Sequence, residues 1–78
     1  MLSLRNQLRG TIKEIVSDKV MSEVIVETAA GDVAAVITTR SVQTMKLQVG
    51  ETVFVMVKAP DVSIQKLNDL EDGSPSSR

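Results

Sequence analysis

Hydrophobic and polar residues alternate through most of this chain, and the alternation has the two-residue period of β-strands. The clearest segment sets Val24 and Val26 on one face against Glu23, Ile25 and Glu27 on the other. Branched residues, which suit a pleated sheet, dominate the segments that alternate. The pattern therefore predicts a protein built mainly of strands.

Five strands and one short helix account for the whole pattern. A glycine-containing turn at 29–32 closes a hairpin. Thr38 or Thr39 is a candidate cap for a short helix in which Val42 and Met45 stand one helical turn apart. The predicted strands are 6–16, 20–28, 33–38, 52–58 and 62–67. This order predicts an all-β fold, a five-stranded OB-like barrel with one short helix between strands 3 and 4.

The first predicted strand has a glycine in its interior. Leu8, Gly10 and Ile12 share one face of a regular strand, and the same spacing adds Glu14 to that face. Glycine inside a strand is typical of a β-bulge or of close approach by a neighbouring backbone. We therefore expect an irregularity near Gly10.

The fourth predicted strand is apolar on both faces. Val53, Val55 and Val57 share one face, and Phe54 and Met56 share the other. A strand in a free-standing small barrel has one face in water. Either a loop or the helix of the same chain covers the second face, or another subunit does. The small size of the domain favours the other subunit.

The composition divides the chain into a folded domain, 1–67, and a polar tail, 68–78. The tail contains glycine, proline and serine with one aliphatic residue, so it is predicted to be disordered. A domain of this size is marginally stable alone, and the chain has no cysteine or histidine for a disulfide or a zinc, copper or iron site. Self-association is the remaining source of stability.

Composition also argues against several classes of function. The net charge is −1 and Phe54 is the only aromatic residue, whereas nucleic-acid binders of this size carry a basic excess and stacking aromatics. Without histidine, cysteine or an evident carboxylate pair, we predict that the protein is not an enzyme. We find neither a signal-peptide pattern nor an apolar run of membrane length, which predicts a cytoplasmic protein without membrane contact.

Hydrogen-bond donors suited to an anion are concentrated near the ends of the predicted strands. An arginine offers forked, charge-assisted bonds, hydroxyls at a helix entry lie beside unpaired backbone N–H groups, and a lysine adds a second cation. A tetrahedral dianion with four acceptor oxygens suits such donors. The candidate oxyanion-binding residues are Ser3, Arg5, Thr38, Ser41, Lys58 and Ala59, the last through its backbone N–H.

Each candidate side chain also has a purely structural interpretation. Ser3 lies near a terminus and is open to fraying, and Arg5 suits a solvated surface cation. Thr38 and Ser41 suit ordinary helix-capping residues. Lys58 suits an edge-strand residue that prevents aggregation. The functional interpretation therefore depends on the combination of donor groups, because no single one is decisive.

Three motifs span the predicted domain. The chain opens with Ser-x-Arg-Asn-x-Leu-x-Gly at 3–10, continues with Val-Ile-Thr-Thr-x-Ser-Val at 36–42 and closes with Val-Lys-Ala-x-Asp-Val at 57–62. Together they resemble the molbindins, the small Mop or TOBE-type molybdate-binding domains, over about residues 3 to 67. The opening motif is the most specific of the three.

The resemblance implies an OB-like barrel that assembles as a homohexamer, a trimer of dimers, with oxyanions bound at the subunit interfaces. It implies a store or buffer of molybdate or tungstate, with no covalent cofactor and no metal other than that of the oxyanion. Many members place a serine after the closing lysine, whereas Ala59 leaves only a backbone N–H and Pro60 removes the next one. By position, the family's ligand-binding residues fall on Ser3, Arg5, Thr38, Ser41 and Lys58.

Two functions of other classes stay open at this point. An OB-fold of this size can bind single-stranded nucleic acid, although the charge and the lack of aromatic residues argue against it. A molbindin-like fold can also serve as a ligand-free interaction or regulatory module. The absence of a hydroxyl at Ala59 keeps that second alternative.

Overall fold

The computed structural model describes residues 5–67. The predicted order of elements is confirmed as far as the fourth strand. The elements are β1 (Arg5–Ser17), β2 (Met21–Thr28), β3 (Gly31–Thr38), α1 (Thr39–Met45) and β4 (Thr52–Lys58), followed by a 3-10 turn, Ala59–Asp61. The predictions for Ser3 and for the tail 68–78 lie outside the described residues.

The four strands form one antiparallel sheet in the order β3-β2-β1-β4. The long strand β1 has different partners along its length, because residues 5–11 pair with β4 and residues 10–17 pair with β2. Sharing one twisted strand between two neighbours lets the sheet curl toward a barrel. The observed fold is therefore all-β, a curled sheet with one short helix.

A β-bulge interrupts the pairing of β1 with β2 between Ile12 and Glu14. The extra residue reverses which side chains face inward, as bulges do in antiparallel strands. Ile12 is buried and Ile15 packs against the core, whereas Glu14 is exposed. The predicted face containing Glu14 is therefore wrong, and the bulge is the reason.

Gly10 lies where β1 passes from β4 to β2. A Cβ atom at this position would stand 2.5 Å from the carbonyl oxygen of Glu27 and 2.6 Å from Cγ1 of Val26. These separations are shorter than any ordinary van der Waals contact between carbon and either atom. The predicted close approach of a neighbouring backbone is confirmed, and it explains why this strand carries a glycine.

The core is small and lies on the inner face of the curled sheet. Its fully buried apolar side chains are Ile12, Val24 and Val26, which confirms the predicted inner face of the second strand. Partly buried side chains that pack against these three come from β1, β3, α1, β4 and the segment after α1. They are Ile15, Ile37, Val42, Leu47, Val53 and Val55.

The two faces of β4 differ sharply in exposure. Val53, Val55 and Val57 are half-buried, whereas Phe54 is 58% exposed and Met56 is 45% exposed. In the described part of the chain, neither a loop nor α1 covers these two side chains. Within residues 5–67, the chain therefore does not cover the second face of β4.

The predicted fifth strand does not form. Residues 62–66 have no regular structure and pair with no strand of residues 5–67. Val62 and Ile64 are 50% and 96% exposed, so they gain no burial that would offset the cost of ordering. The described sheet has four strands because this segment leaves the 3-10 turn without reaching a sheet edge.

Helices contribute little to the described part of the molecule. The helix α1 spans seven residues. No helix within residues 5–67 has the length and apolar character needed to cross a membrane.

Candidate anion-binding site

One end of the sheet carries paired cationic residues. The register of β1 against β4 places Arg5 directly opposite Lys58, and Ala59 begins the 3-10 turn immediately afterwards. We call these three residues the cationic end. It contains three of the residues that the sequence predicted to bind an oxyanion.

The charges at the cationic end are of one sign. Like charges at directly paired positions of an antiparallel sheet destabilise it. The ion pair formed among residues 5–67 joins Lys13 Nζ to Asp32 Oδ2 at 2.7 Å, and no carboxylate in this range pairs with Lys58. An anion at this end would therefore relieve the repulsion between the two cationic positions.

The 3-10 turn shapes the backbone beside Lys58. Pro60 lies in the first part of the turn, and Lys58 precedes the turn in an extended conformation. The N–H of Val62 closes the turn by donating to the carbonyl of Ala59 at 3.1 Å. The first N–H groups of such a turn have no partner inside it. Pro60 has no N–H, so Ala59 is the one of the first two residues of the turn that has a backbone donor to offer.

The second group of predicted residues lies at the start of α1. Thr38 caps the helix, with φ −70° and ψ 147°, and its Oγ1 accepts the N–H of Ser41 at 3.0 Å. The same hydroxyl donates to Ser41 Oγ at 2.8 Å. A hydroxyl has a single hydrogen, so that of Thr38 is already used. The hydroxyl hydrogen of Ser41 has no acceptor within residues 5–67 and is available to a ligand.

Three further hydroxyls lie next to this pair, and the sequence analysis did not identify them as a group. Ser22 is 2% exposed, and its Oγ lies 2.7 Å from Ser17 Oγ and 2.7 Å from Thr39 Oγ1. We call the five residues Ser17, Ser22, Thr38, Thr39 and Ser41 the hydroxyl end. A signal was present in the pattern, because Ser22 occupies the same inward-facing positions of β2 as Val24 and Val26.

The turn between β1 and β2 is fixed by a carboxylate. Asp18 Oδ1 accepts the N–H groups of Met21 and Val20, each at 2.8 Å. These two hydrogen bonds, that of Met21 first, lower the pKa of Asp18. Between β1 and β3, the hydrogen bond to Asp32 raises the pKa of Lys13. The carbonyl of Asp18 also accepts from Thr39 Oγ1 at 2.8 Å, so this turn adjoins the start of α1.

The cationic end and the hydroxyl end lie at opposite ends of the sheet. Arg5 is the first residue of β1, whereas Ser17, the last, pairs with Ser22 beside the start of α1. Thirteen residues at roughly 3.3 Å each make β1 about 40 Å long along its curved path. The two groups of predicted binding residues therefore lie at opposite ends of β1.

Comparison with known families identifies the class of this fold. The model of the TOBE domain matches residues 2–64. The chain belongs to the TOBE domain family. This confirms the resemblance found in the three sequence motifs.

Individual relatives narrow the comparison. The chain is 33% identical to molybdenum-pterin-binding protein 3 of Clostridium pasteurianum over 64 residues, which are 81% of this chain and 94% of the relative. Among solved structures, a molybdate-binding protein from Sporomusa ovata superposes with a TM-score of 0.79 at 35% identity, covering 85% of this chain and 98% of the other. MopII from Clostridium pasteurianum superposes with a TM-score of 0.76 at 31% identity, covering 85% and 100%.

The names of these relatives also indicate whether the family consists of binding proteins or of enzymes. The curated relative and the Sporomusa ovata protein are both named for what they bind rather than for a reaction. The family is one of binding proteins, which agrees with the prediction that the chain is not an enzyme.

Proposed function

We propose that this protein binds molybdate reversibly, without catalysis, and serves in the cytoplasm as a store or buffer of the oxyanion. Tungstate, which has the same shape and charge, is the second expected ligand. The similarity to a molybdate-binding protein supports the ligand class. The observation that carries the proposal for this chain is the pairing of Arg5 with Lys58, two cationic positions that a dianion would neutralise.

The chemistry of the candidate residues suits a tetrahedral dianion. Arg5 supplies forked charge-assisted bonds and Lys58 a point charge. Ala59 offers a backbone N–H, and Ser41 offers the hydroxyl hydrogen that Thr38 leaves unused. Ser3 adds a further hydroxyl in the proposal. Most of these donors are neutral, so the site selects by the number and placement of hydrogen bonds rather than by charge alone.

The proposal places the anion between subunits. The cationic end and the hydroxyl end lie at opposite ends of β1, whose curved path is about 40 Å long. We therefore place the cationic end of one copy against the hydroxyl end of another. Binding and assembly would then reinforce each other, because the ligand binds the assembled form only. We propose a homohexamer, built as a trimer of dimers.

Exposed apolar residues support an oligomer. Phe54 and Met56 cover the outer face of β4, and the described chain leaves them open to solvent. Burying each in an interface contributes on the order of 1.5–3 kcal/mol per side chain. We further infer that residues 62–67 become the fifth strand only when assembly brings them to a sheet edge, which would complete the five-stranded barrel.

The first test measures whether the anion is retained. Purified protein is incubated with molybdate, desalted and analysed for molybdenum, with sulfate-treated protein as the matched control for a tetrahedral dianion of smaller size. We expect molybdenum to coelute with the protein in fixed proportion to the number of chains. Protein that elutes free of molybdenum at millimolar exposure would contradict the proposal.

A second test examines the assembly. Analytical ultracentrifugation is run with and without molybdate on the wild type and on Phe54→Ser. We expect the wild type to sediment as an oligomer and Phe54→Ser to dissociate more readily. A wild type that sediments as one folded chain in the presence of molybdate would rule out the interface site.

The ligand-free module is the second candidate function. Ala59 and Pro60 favour it, because together they remove one hydroxyl and one N–H from the cationic end. It predicts the same oligomer with no retained molybdenum, so the two tests above separate it from the leading proposal. A gel shift with single-stranded oligonucleotides tests the nucleic-acid alternative, for which we expect no binding.

A further inference from the structure

Ser22 lies in a closed set of hydrogen bonds that joins four parts of the fold. Its Oγ is 2.7 Å from Ser17 Oγ at the end of β1 and 2.7 Å from Thr39 Oγ1 at the start of α1. Thr39 Oγ1 in turn donates to the carbonyl oxygen of Asp18 at 2.8 Å, and Asp18 follows Ser17 in the chain. The set therefore links β1, β2, α1 and the turn between the two strands.

The direction of each hydrogen bond follows from counting hydrogens. A hydroxyl has one hydrogen to donate, and a carbonyl oxygen can only accept. Thr39 must donate to Asp18, so Ser22 must donate to Thr39. Ser17 must then donate to Ser22. The three hydroxyls thus donate in series, and the series ends at the carbonyl oxygen of Asp18. Removing any one hydroxyl interrupts this series of hydrogen bonds.

The burial of Ser22 makes this arrangement costly to break. Ser22 is 2% exposed and is the one polar side chain in the core of residues 5–67. Losing its hydroxyl would leave the exposed Ser17 without its acceptor and the half-buried Thr39 without its donor, so both would have to find other partners. An apolar residue at this position would continue the pattern of Val24 and Val26, so the serine is not explained by packing.

Thr39 is the residue through which this arrangement reaches the proposed site. Its N–H also donates to the carbonyl of Val20 at 2.8 Å, so Thr39 is held to the β1–β2 turn by both backbone and side chain. Thr38 precedes it and Ser41 is two residues later. The position of Thr39 therefore determines where the Ser41 hydroxyl is presented.

We propose that Ser22 is a positioning residue, which holds Thr39 and thereby fixes the direction of the Ser41 hydroxyl toward the bound anion. The inference deepens the proposed function and rests on it for the identity of the ligand. Ser22 does not touch the anion, and its effect passes through Thr39 and Thr38 to Ser41.

Calorimetric titration with sodium molybdate tests this on the full chain in its native oligomer, at a temperature well below unfolding. We expect Ser22→Ala and Thr39→Val each to weaken binding roughly 3- to 10-fold, the range for one lost hydrogen bond. The double variant should bind no more weakly than the single ones do, because both changes break the same arrangement. Thr39→Ser keeps the hydroxyl and should restore wild-type affinity.

Thr44→Val is the matched control. Thr44 lies in the same helix, is exposed and makes no side-chain hydrogen bond within residues 5–67. The Thr44→Val variant should bind molybdate with the same affinity as the wild type. Unchanged affinity in folded Ser22→Ala and Thr39→Val, or effects that add fully in the double variant, would overturn the proposal. Failure of Thr39→Ser to restore binding would also count against it. If Ser22→Ala does not fold, the proposal is tested by comparing the affinities of Thr39→Val and Thr39→Ser for molybdate.

A wild type that ignores molybdate would refute the proposed function without deciding the positioning role. Amide hydrogen exchange then decides it, because the Ser41 N–H is bonded to Thr38 Oγ1 at 3.0 Å. Faster exchange at Ser41 in Ser22→Ala, with no change in Thr44→Val, would support the positioning role. Equal exchange rates in Ser22→Ala and the wild type would overturn it.

Discussion

The two ends of the sheet differ in how completely the chain satisfies its own polar groups. At the hydroxyl end, Ser17, Ser22 and Thr39 bond to one another, and Thr38 bonds to Ser41. At the cationic end, Arg5 and Lys58 occupy paired positions of like charge. The hydroxyl end is thus organised by hydrogen bonds within the chain, whereas the cationic end pairs two positions of like charge.

In the proposed site, this difference gives the two ends separate tasks. A rigid set of hydroxyls sets the geometry of a binding site at little further cost in entropy. A cationic pair supplies the attraction, and it gains most from an anion because its charges repel each other. The proposed site takes one part from each end and so combines the two tasks, with a second copy of the chain supplying the other part.

The largest effect should come from breaking the strand that connects the two ends. In Gly10→Ala, the new methyl group would meet the carbonyl oxygen of Glu27 at 2.5 Å, where backbone has to move. We expect the free energy of unfolding to fall by about 1–3 kcal/mol or more, as in other overpacked sites. Urea denaturation measures it, with the adjacent exposed substitution Thr11→Ala as control. Equal midpoints for the two variants would show that β1 tolerates a side chain at this crossing.

The next largest effect concerns the cationic end. Arg5→Ala should weaken molybdate binding by about 1.5–3 kcal/mol, the range for a hydrogen bond to a charged group. The control is Arg9→Ala, which removes the same charge from the same strand opposite Phe54 rather than opposite Lys58. Calorimetry on both variants, after checking the oligomer, should show a loss for the first alone. Similar losses for both would mean that only the total charge matters.

A smaller effect is expected at the hydroxyl end, where Thr38 and Ser41 have different roles. Ser41→Ala removes the one hydroxyl hydrogen of the hydroxyl end that has no acceptor within residues 5–67, so binding should weaken by about 1 kcal/mol with little change in unfolding. Thr38→Val removes both the helix cap and the hydrogen bond to Ser41 Oγ, so it should weaken binding and also lower the free energy of unfolding by about 1 kcal/mol. Thermal melting and titration of both variants compare the two quantities. A Ser41→Ala variant with full affinity would remove Ser41 from the site.

The smallest effect is a dependence of the hydroxyl end on pH. The hydrogen bonds from Met21 and Val20 lower the pKa of Asp18 below its usual value of 3.8. A lowered pKa in the folded state means that the stabilisation is present above the unfolded value and is lost as the pH falls through the folded one. Asp18→Ala should therefore be less stable than the wild type at pH 7, and the difference should shrink below about pH 4. A difference that stays constant between pH 7 and pH 3 would contradict the role of the carboxylate.

Local patterns in the sequence predicted the strands but not how the chain finishes the sheet. Alternation placed Val24 and Val26 in the core, and the structure confirms it. The same alternation predicted a fifth strand at 62–67, which does not form in the described chain, because a strand also needs a neighbouring edge that no local pattern reveals. The bulge after Ile12 likewise depends on pairing with β2, so the sequence alone misplaced Glu14.

The amino-acid sequence by itself determined the class of fold, the position of α1 and the types of residue suited to an oxyanion. These features depend on residues that are close together in the chain: the period of the strands, the helix cap at Thr38 and the chemistry of the donors. The sequence alone is therefore enough to predict them. Only the tertiary structure decided that Arg5 pairs with Lys58, that Ser22 hydrogen-bonds to Thr39, and that these two pairs lie at opposite ends of β1. Those relations join residues distant in the chain, and their geometry depends on the register and curvature of the whole sheet.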